Sequence, residues 1–547
     1  MTFARIGFPE PPLSFPSVFS LLRGLTAACA FILLAAAPLA AQTAPAAEVR
    51  IEYGPAQPFS LDWLKARARD LAGQPHVAPV IADPAALDAI DYDAHWKIQF
   101  RKDHTIMAGP EAPVQFFHMN RYSRDPVRIS MVSGNEAREV RYSASFFDMP
   151  EDSPAKKIED HAAFAGFRVM RPDLKTDWIS FLGASYYRTD GAEKQYGMSV
   201  RGLAINTGMA QPEEFPRFTE FYIAAGENGA AATIYALLDG PSVTGAYRFD
   251  AANGDGQVIE VSATLFFRNG VERLGIAPMT SMYWYSETNR NLAFDWRPEV
   301  HDSDGLAMLT GGGERIWRPL ANPDRVVTSS FMDANPRGFG LMQRDRSFAN
   351  YQDDGVFYNK RASVWIEPRG DWGPGQVQLV EIPTDDEIYD NIVAYWLPAK
   401  LPAAGEALEI GYRQVWGSGQ PDVGALAHTV ATRYGRGGVP GQPRPTDELK
   451  VQIDFSGAVL EGLGAADGVK PMVSAGAGVE VLRAAARPIV GTDDWRLSFD
   501  LKLKTDADTL DVRAYLDREG MPLTETWLGQ VHPGLFGLSG AARAASN

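Results

Sequence analysis

From residue 128 onward the sequence runs in a period of two. The segments 128–132, 139–147, 218–224, 233–239 and 246–250 are short alternating runs rich in β-branched and aromatic residues, the pattern of strands that bury one face. Turn signals separate the runs, among them Asp239-Gly240-Pro241 and Asn269-Gly270, dipeptides that strands do not continue through. The same grammar returns at 377–382, 392–397 and 408–416. Many strands with little helix between them predict an all-β fold built on a large antiparallel β-sandwich, not βαβ units.

Helix signals gather before that region. Ser60 can cap a segment carrying Leu61, Leu64, Ala68 and Leu71, with Gly73 as its stop, and Asp83 with Pro84 starts a second helix. Further back, Arg5 and Arg23 precede an apolar stretch, Leu25 to Leu39, that ends in the small residues Ala40 and Ala41. This reads as a secretory signal peptide over 1–41, too short in its apolar part for a stable membrane span.

A chain of 547 residues exceeds what one core usually serves. After Trp416 the composition shifts, and 418–445 is dense in Gly and Pro, a linker or a functional loop. Beyond it, 449–455, 479–484, 495–503 and 510–516 predict a smaller sandwich; about a hundred residues of short strands fit an immunoglobulin-like module. The predicted division is a large sandwich over 48–417, the loop or linker over 418–445, and the immunoglobulin-like domain over 446–540.

A formal net charge of -16 repels phosphate backbones, so nucleic acid is excluded as a partner. The one cysteine, Cys29, lies inside the apolar leader, which removes disulfides, thiolate metal sites and cysteine nucleophiles from a processed chain. The eight histidines lack the short spacings of a zinc site, and neither a metal nor a cofactor is predicted. Twelve Trp, 19 Tyr and 28 Phe offer flat faces that stack on sugar rings, although most must serve the core.

Cleavage of a glycosidic bond needs one acid to protonate the leaving oxygen and one base to activate water. Acidic residues concentrate in three places: Glu299-Val300-His301-Asp302-Ser303-Asp304-Gly305, Tyr351-Gln352-Asp353-Asp354-Gly355 followed by Tyr358, and Asp385-Asp386-Glu387-Ile388-Tyr389-Asp390-Asn391. Turns alone could account for each cluster, but the adjoining Tyr389 and the pair Asp371-Trp372 are not what a solvated turn requires. The four acids between 385 and 390 should repel one another and raise at least one pKa if partly buried. Glu387 and Asp390, three apart, can serve one site only where a turn or bulge intervenes.

The whole mature chain resembles the periplasmic osmoregulated-glucan biosynthesis proteins G and D. The resemblance rests on Phe181-Leu182-Gly183-Ala184-Ser185-Tyr186-Tyr187-Arg188, on Ser199-Val200-Arg201-Gly202-Leu203-Ala204, on Trp284-Tyr285, and on the run from Arg297 to Leu306. Glu314 to Leu320, Asn335 to Leu341 and Asp390-Asn391-Ile392-Val393 follow in order. The resemblance implies a periplasmic protein with a galactose-mutarotase-like β-sandwich, a C-terminal immunoglobulin-like domain, and inverting glycoside hydrolysis of β-1,2-glucan. Asp390 would be the general acid and Asp302 the general base acting through waters and hydroxyls. Glu387, Tyr358, Asp304 and Trp284 would bind substrate, with Tyr358 a natural member of the relay. The 418–445 stretch corresponds in position to a loop that closes over the site in some relatives, but its sequence does not match, and no residue is carried over from it. A glucan-cyclising transglycosylase and a non-catalytic glucan-binding assembly factor are the alternatives, and the resemblance admits a homodimer and a membrane glucan synthase as partners.

Overall fold

The computed structural model describes residues 51–81, 83–158, 162–421, 424–504 and 509–538; the predicted signal peptide lies outside them. The all-β expectation holds. Two large sheets, one of sixteen strands and one of eleven, account for most of the chain, and a four-stranded sheet sits near its C-terminal end. Strands Arg217–Ala225, Ala232–Asp239, Val243–Asn253 and Gln257–Phe267 form a continuous antiparallel meander in the larger sheet, because the period-two runs there are joined by short turns.

The two large sheets face one another through aromatic side chains. Phe167 and Phe181 of the eleven-stranded sheet meet Phe221 edge-on at 5.0 and 5.5 Å, and Phe249 reaches Phe181 at 5.4 Å. Edge-to-face rings add packing energy beyond their buried area. The helix Leu61–Ala72 lies on the outer face of the larger sheet, with Leu64 and Ala68 buried beside Tyr222 and Phe266. Ser60 caps it by accepting the Trp63 N–H, and Asp83 likewise accepts the Ala86 N–H ahead of Pro84, as the sequence predicts.

Two segments differ from the sequence reading. The expected strand over 139–147 ends early: Glu136–Glu139 is extended, but Ser143 accepts the Ser145 N–H and turns Ala144–Phe146 into a 3-10 helix. Such local side-chain to backbone bonds compete with strand pairing. The Gly/Pro-rich stretch contains a nine-residue strand, His428–Arg436, paired antiparallel with Glu448–Ser456.

The smaller sandwich shares a layer with the larger one. Its four-stranded sheet runs His428–Arg436, Glu448–Ser456, Trp495–Leu503, Val479–Pro488. Facing it, Leu510–Arg518 and Thr526–Val531 extend the sixteen-stranded sheet itself, since Thr526–Val531 pairs in parallel with Arg315–Pro319. Trp317, Trp365, Trp495 and Trp527 are buried together in the core between these layers.

A buried ion pair ties the two large sheets at the root of one acidic loop. Glu381, at the end of strand Pro374–Glu381 and fully buried, accepts the Arg318 Nη2 at 2.9 Å on one oxygen and the Ala321 N–H at 2.7 Å on the other. Removing one partner of such a pair leaves the other charge uncompensated. We therefore expect Glu381→Ala to lower unfolding stability by about 3–5 kcal/mol in urea denaturation, against less than about 1 kcal/mol for Asp250→Ala in a more exposed pair.

Candidate functional site

The three acidic clusters converge on the run that continues strand Leu274–Ser281 into Tyr283–Tyr285. On the sheet side, Ser281 stands opposite Ile392, the first residue after the third cluster. The Asn391 side chain fixes that junction: its Nδ2 donates to the Tyr283 and Ile382 carbonyls at 2.9 Å, and its Oδ1 accepts the Tyr283 N–H at 2.8 Å. The first cluster joins through the Asp302 N–H, which donates to the Met282 carbonyl at 2.8 Å, and through Tyr283 opposite His301. Asp302 and Asp390 are thus both anchored to the same few residues, 281–283.

The first cluster is not a solvated turn. Glu299 is 6% exposed and His301, Asp302 and Ser303 are 0% exposed. Asp302 faces the buried Arg361, whose Nε lies 3.2 Å from its Oδ1. The Arg361 guanidinium in turn stands 5.1 Å from the centre of the Tyr358 ring. Tyr358, fully buried, donates its hydroxyl to Glu387 of the third cluster. Phe357, just before it, holds a left-handed backbone at φ 49°, a strained conformation for an aromatic residue.

Glu387 is fixed by Arg297, which donates to its Oε2 at 2.7 Å and Oε1 at 3.3 Å. The same guanidinium holds Asp295 through Nε and Nη2, both at 3.0 Å, and Asp353 at 3.1 Å. One arginine therefore gathers carboxylates from the second and third clusters and from its own loop, and relieves the repulsion that the acids at 385–390 would otherwise feel. Residues 385–389 form a bend and turn, which meets the condition for Glu387 and Asp390 to serve one site. Phe294 and Trp296 are exposed on the Arg297 loop, and Ile388 is exposed next to Glu387.

Asp390, half-buried, sits among a different set of charges. Its charge acts on Arg201 and Tyr186. Arg201 is buried, pairs with Glu213 at 2.5 Å, donates to Thr280 Oγ1 at 3.1 Å, and lies 5.0 Å from the Tyr186 ring centre. Burial, reinforced by the Asp390 and Glu213 charges against the opposing Arg201, pushes the Tyr186 hydroxyl up to about 12.

Asp304 and Trp284 point to other roles. Asp304 accepts the Asp345 N–H at 2.8 Å and the Arg344 N–H at 2.5 Å, and its Oδ1 is 3.3 Å from His301 Nδ1. Burial pushes its carboxyl up to about 6, partly opposed by the His301 charge. Trp284 is half-buried; its carbonyl accepts Asn322 Nδ2 at 3.0 Å, and its ring meets Tyr285 edge-on at 5.1 Å.

Sequence reasoning missed the partners of the acids. Arg361, Glu213, Gln343 and Glu287 carry no local signal as site residues, and Arg201 and Arg297 stand out only as members of the family-like runs. Gln343 accepts from His301 Nδ1 at 3.0 Å and donates to the carbonyls of His301 and Tyr358. Glu287 accepts the Thr432 N–H at 2.9 Å, bringing the His428–Arg436 strand against this centre. Arginines flanked by acids, as in Asp295-Trp296-Arg297, were the one available signal.

A family model described as "Periplasmic glucan biosynthesis protein, MdoG" matches residues 59–531. The chain belongs to this family of periplasmic glucan biosynthesis proteins and is itself periplasmic. Among its relatives, the glucans biosynthesis protein D 2 of Ralstonia nicotianae is 50% identical over 88% of this chain and 93% of its own. The glucans biosynthesis protein D of Xanthomonas oryzae pv. oryzae is 46% identical over 94% and 97%, and that of Xylella fastidiosa 45% over 88% and 91%.

The His301 centre gives a pH dependence. Burial alone would push the imidazole down, but the hydrogen bond to Glu299 and the charges of Asp304, Glu299 and Glu287 raise it to about 9. Its contribution to stability is full below its unfolded value near 6.5 and is lost as pH rises through about 9. Glu287, raised to about 7 by burial and the Glu299 charge, and Asp304 shift stability in the same direction over a lower window. The melting temperature should fall between pH 7 and pH 9, and His301→Gln should flatten that fall. A parent melting temperature constant across this range would contradict the assignment.

Proposed function

We propose that the protein is an inverting endo-β-1,2-glucanase of the periplasm, with Asp390 as general acid and Asp302 as general base. The observation that carries this reading is the path through Tyr358: its ring packs under the Arg361 guanidinium beside Asp302, and its hydroxyl donates to Glu387 in the loop that bears Asp390. A buried carboxylate cannot take a proton from bulk water directly, so Asp302 would act through a relay in which the Tyr358 hydroxyl, turned from Glu387 toward Asp302, passes its proton along intervening waters to that carboxylate as it takes the proton of the attacking water. Arg361, 3.2 Å away through its Nε, would hold the Asp302 carboxylate in position. Direct nucleophilic attack by Asp302 is disfavoured by its burial, which agrees with inversion.

Substrate would lie along the loop surfaces that carry Arg297 and Ile388, where the exposed Phe294 and Trp296 offer sugar-stacking faces and Glu387 offers hydrogen bonds. Trp284 and Asp304 would border this path from behind. We read the chain as a galactose-mutarotase-like sandwich followed by an immunoglobulin-like domain, the latter taking its strand His428–Arg436 from the Gly/Pro-rich stretch. The names of its relatives, glucans biosynthesis proteins, support glucan as the substrate class; a membrane glucan synthase would supply it, and a homodimer would be the working unit.

Incubation of the purified protein with linear β-1,2-glucan should yield shorter linear products whose new reducing ends appear first as the α-anomer by NMR. Closed rings would make the enzyme a cyclising transglycosylase, and unchanged glucan retained on the protein would make it a binding factor. Asp390→Asn should lower turnover by roughly 10²–10⁴-fold with glucan binding kept. Tyr358→Phe, which removes only the hydroxyl, should cost at least about tenfold in kcat with little change in KM; full activity in either variant would remove that residue from the mechanism.

A further inference from the structure

A cavity of about 430 Å³ lies apart from the acidic loops, where strand Val327–Ala334 faces strands Lys470–Ala475, Leu510–Arg518 and Thr526–Val531. Its size is that of a small-ligand site. It is bounded by two sheet edges: Val327–Ala334 ends the order of the eleven-stranded sheet, and Lys470–Ala475 ends that of the sixteen-stranded sheet. Each edge strand carries unpaired backbone N–H and C=O groups along its free side.

The arginines in this lining are already engaged. Arg318 is paired with Glu381 at 2.9 Å, Arg513 with Glu314, and Asp511 accepts the Gln530 amide at 3.2 Å. What remains for a ligand is the Asp511 carboxylate, which a neutral amide does not neutralise and which a sugar hydroxyl can donate to, with the hydroxyls of Thr328 and Ser329, that of Ser330 beyond its bond from Gln378 Nε2 at 3.0 Å, and the half-buried Phe331 ring. The Ser329 hydroxyl oxygen is buried and has no hydrogen-bond partner among the described residues, a cost that a bound donor or acceptor would remove. Hydroxyls and one carboxylate beside an aromatic face match a neutral polyol, not an anion.

The register adds a direction. Thr328 stands opposite Val380 and Val327 opposite Glu381, so the cavity residues begin where the chain leaves for the loop of Glu387 and Asp390. We propose that this seam is a second binding groove for a linear β-1,2-glucan, separate from the loops that carry the acids. This rests on the substrate class proposed above.

Hydrogen exchange of the Asp390→Asn full chain, with and without millimolar linear β-1,2-gluco-oligosaccharide, tests it. Amides at 328–331 and 474–476 should exchange about threefold more slowly with the sugar, alongside slowing at 384–391. Ser330→Trp, which fills the mouth from an exposed position, and Gln530→Ala as a second variant should abolish the slowing at the seam and leave that at 384–391. Slowing at 384–391 alone overturns the second groove and leaves the proposed function standing. Slowing at the seam alone supports the groove and overturns the acid-loop site, and slowing at neither overturns both.

Discussion

The side-chain amide of Asn391 is the pin on which the candidate site hangs. It closes three hydrogen bonds at once, two to Tyr283 and one to Ile382, and so binds both ends of an acid-rich loop to the strand that also receives the Asp302 N–H. The base of this nine-residue excursion between Ile382 and Ile392 is closed further by the Ile382 N–H, which donates to the Asn391 carbonyl at 2.9 Å. With its base pinched shut, the loop can place Glu387 toward Arg297 and leave Asp390 near Arg201. The amide of Asn391 is almost fully buried, where a lost hydrogen bond costs the desolvation of each group left unpaired.

The second constraint is charge. A chain with net charge -16 gathers its acids most densely where the structure also buries arginines. Arg297, Arg361 and Arg201 are each 7% exposed or less, and each faces a carboxylate from a distant part of the chain. Buried pairs of this kind contribute little net stability, but they resist rearrangement because separating them exposes an uncompensated charge. The result suits a site that must keep several carboxylates close together in fixed positions, with the aromatic rings of Tyr358 and Tyr186 as low-polarity walls between the two groups of charges.

The strands were legible in the sequence because a half-buried strand must alternate, and runs such as 495–503 and 510–516 do so with few exceptions. The capped helix at 61–72 was legible because Ser60 and Gly73 act locally. The extended reading of 140–146 failed because Ser143 offers the backbone a local bond that outcompetes a cross-strand partner. The strand at 428–436 was hidden inside a Gly/Pro-rich stretch because its alternation is completed only by pairing with 448–456. At the site, the clusters themselves stood out as acids beside aromatics. Their partners did not, since Arg361 meets Asp302 and Arg297 meets Glu387 through tertiary pairing that no local spacing encodes.

On the function proposed above, the Gly/Pro-rich stretch would bear on whether the glycosyl unit goes to water or to another sugar, because a site closed to water favours transfer. At its start, the Ser418 carbonyl accepts Arg346 Nη2 at 2.8 Å. Past its middle, Thr429 N–H donates to Glu525 at 2.8 Å, Arg344 pairs with the same carboxylate, and Thr432 N–H donates to Glu287. Arg344 also donates its backbone N–H to Asp304, and Glu287 and Asp304 both act on His301. The stretch is therefore hydrogen-bonded to the same buried centre that adjoins Asp302. Any movement of strand 428–436 away from the large sandwich must break bonds to that centre, so the position of this strand and the electrostatic environment of Asp302 are coupled in one network.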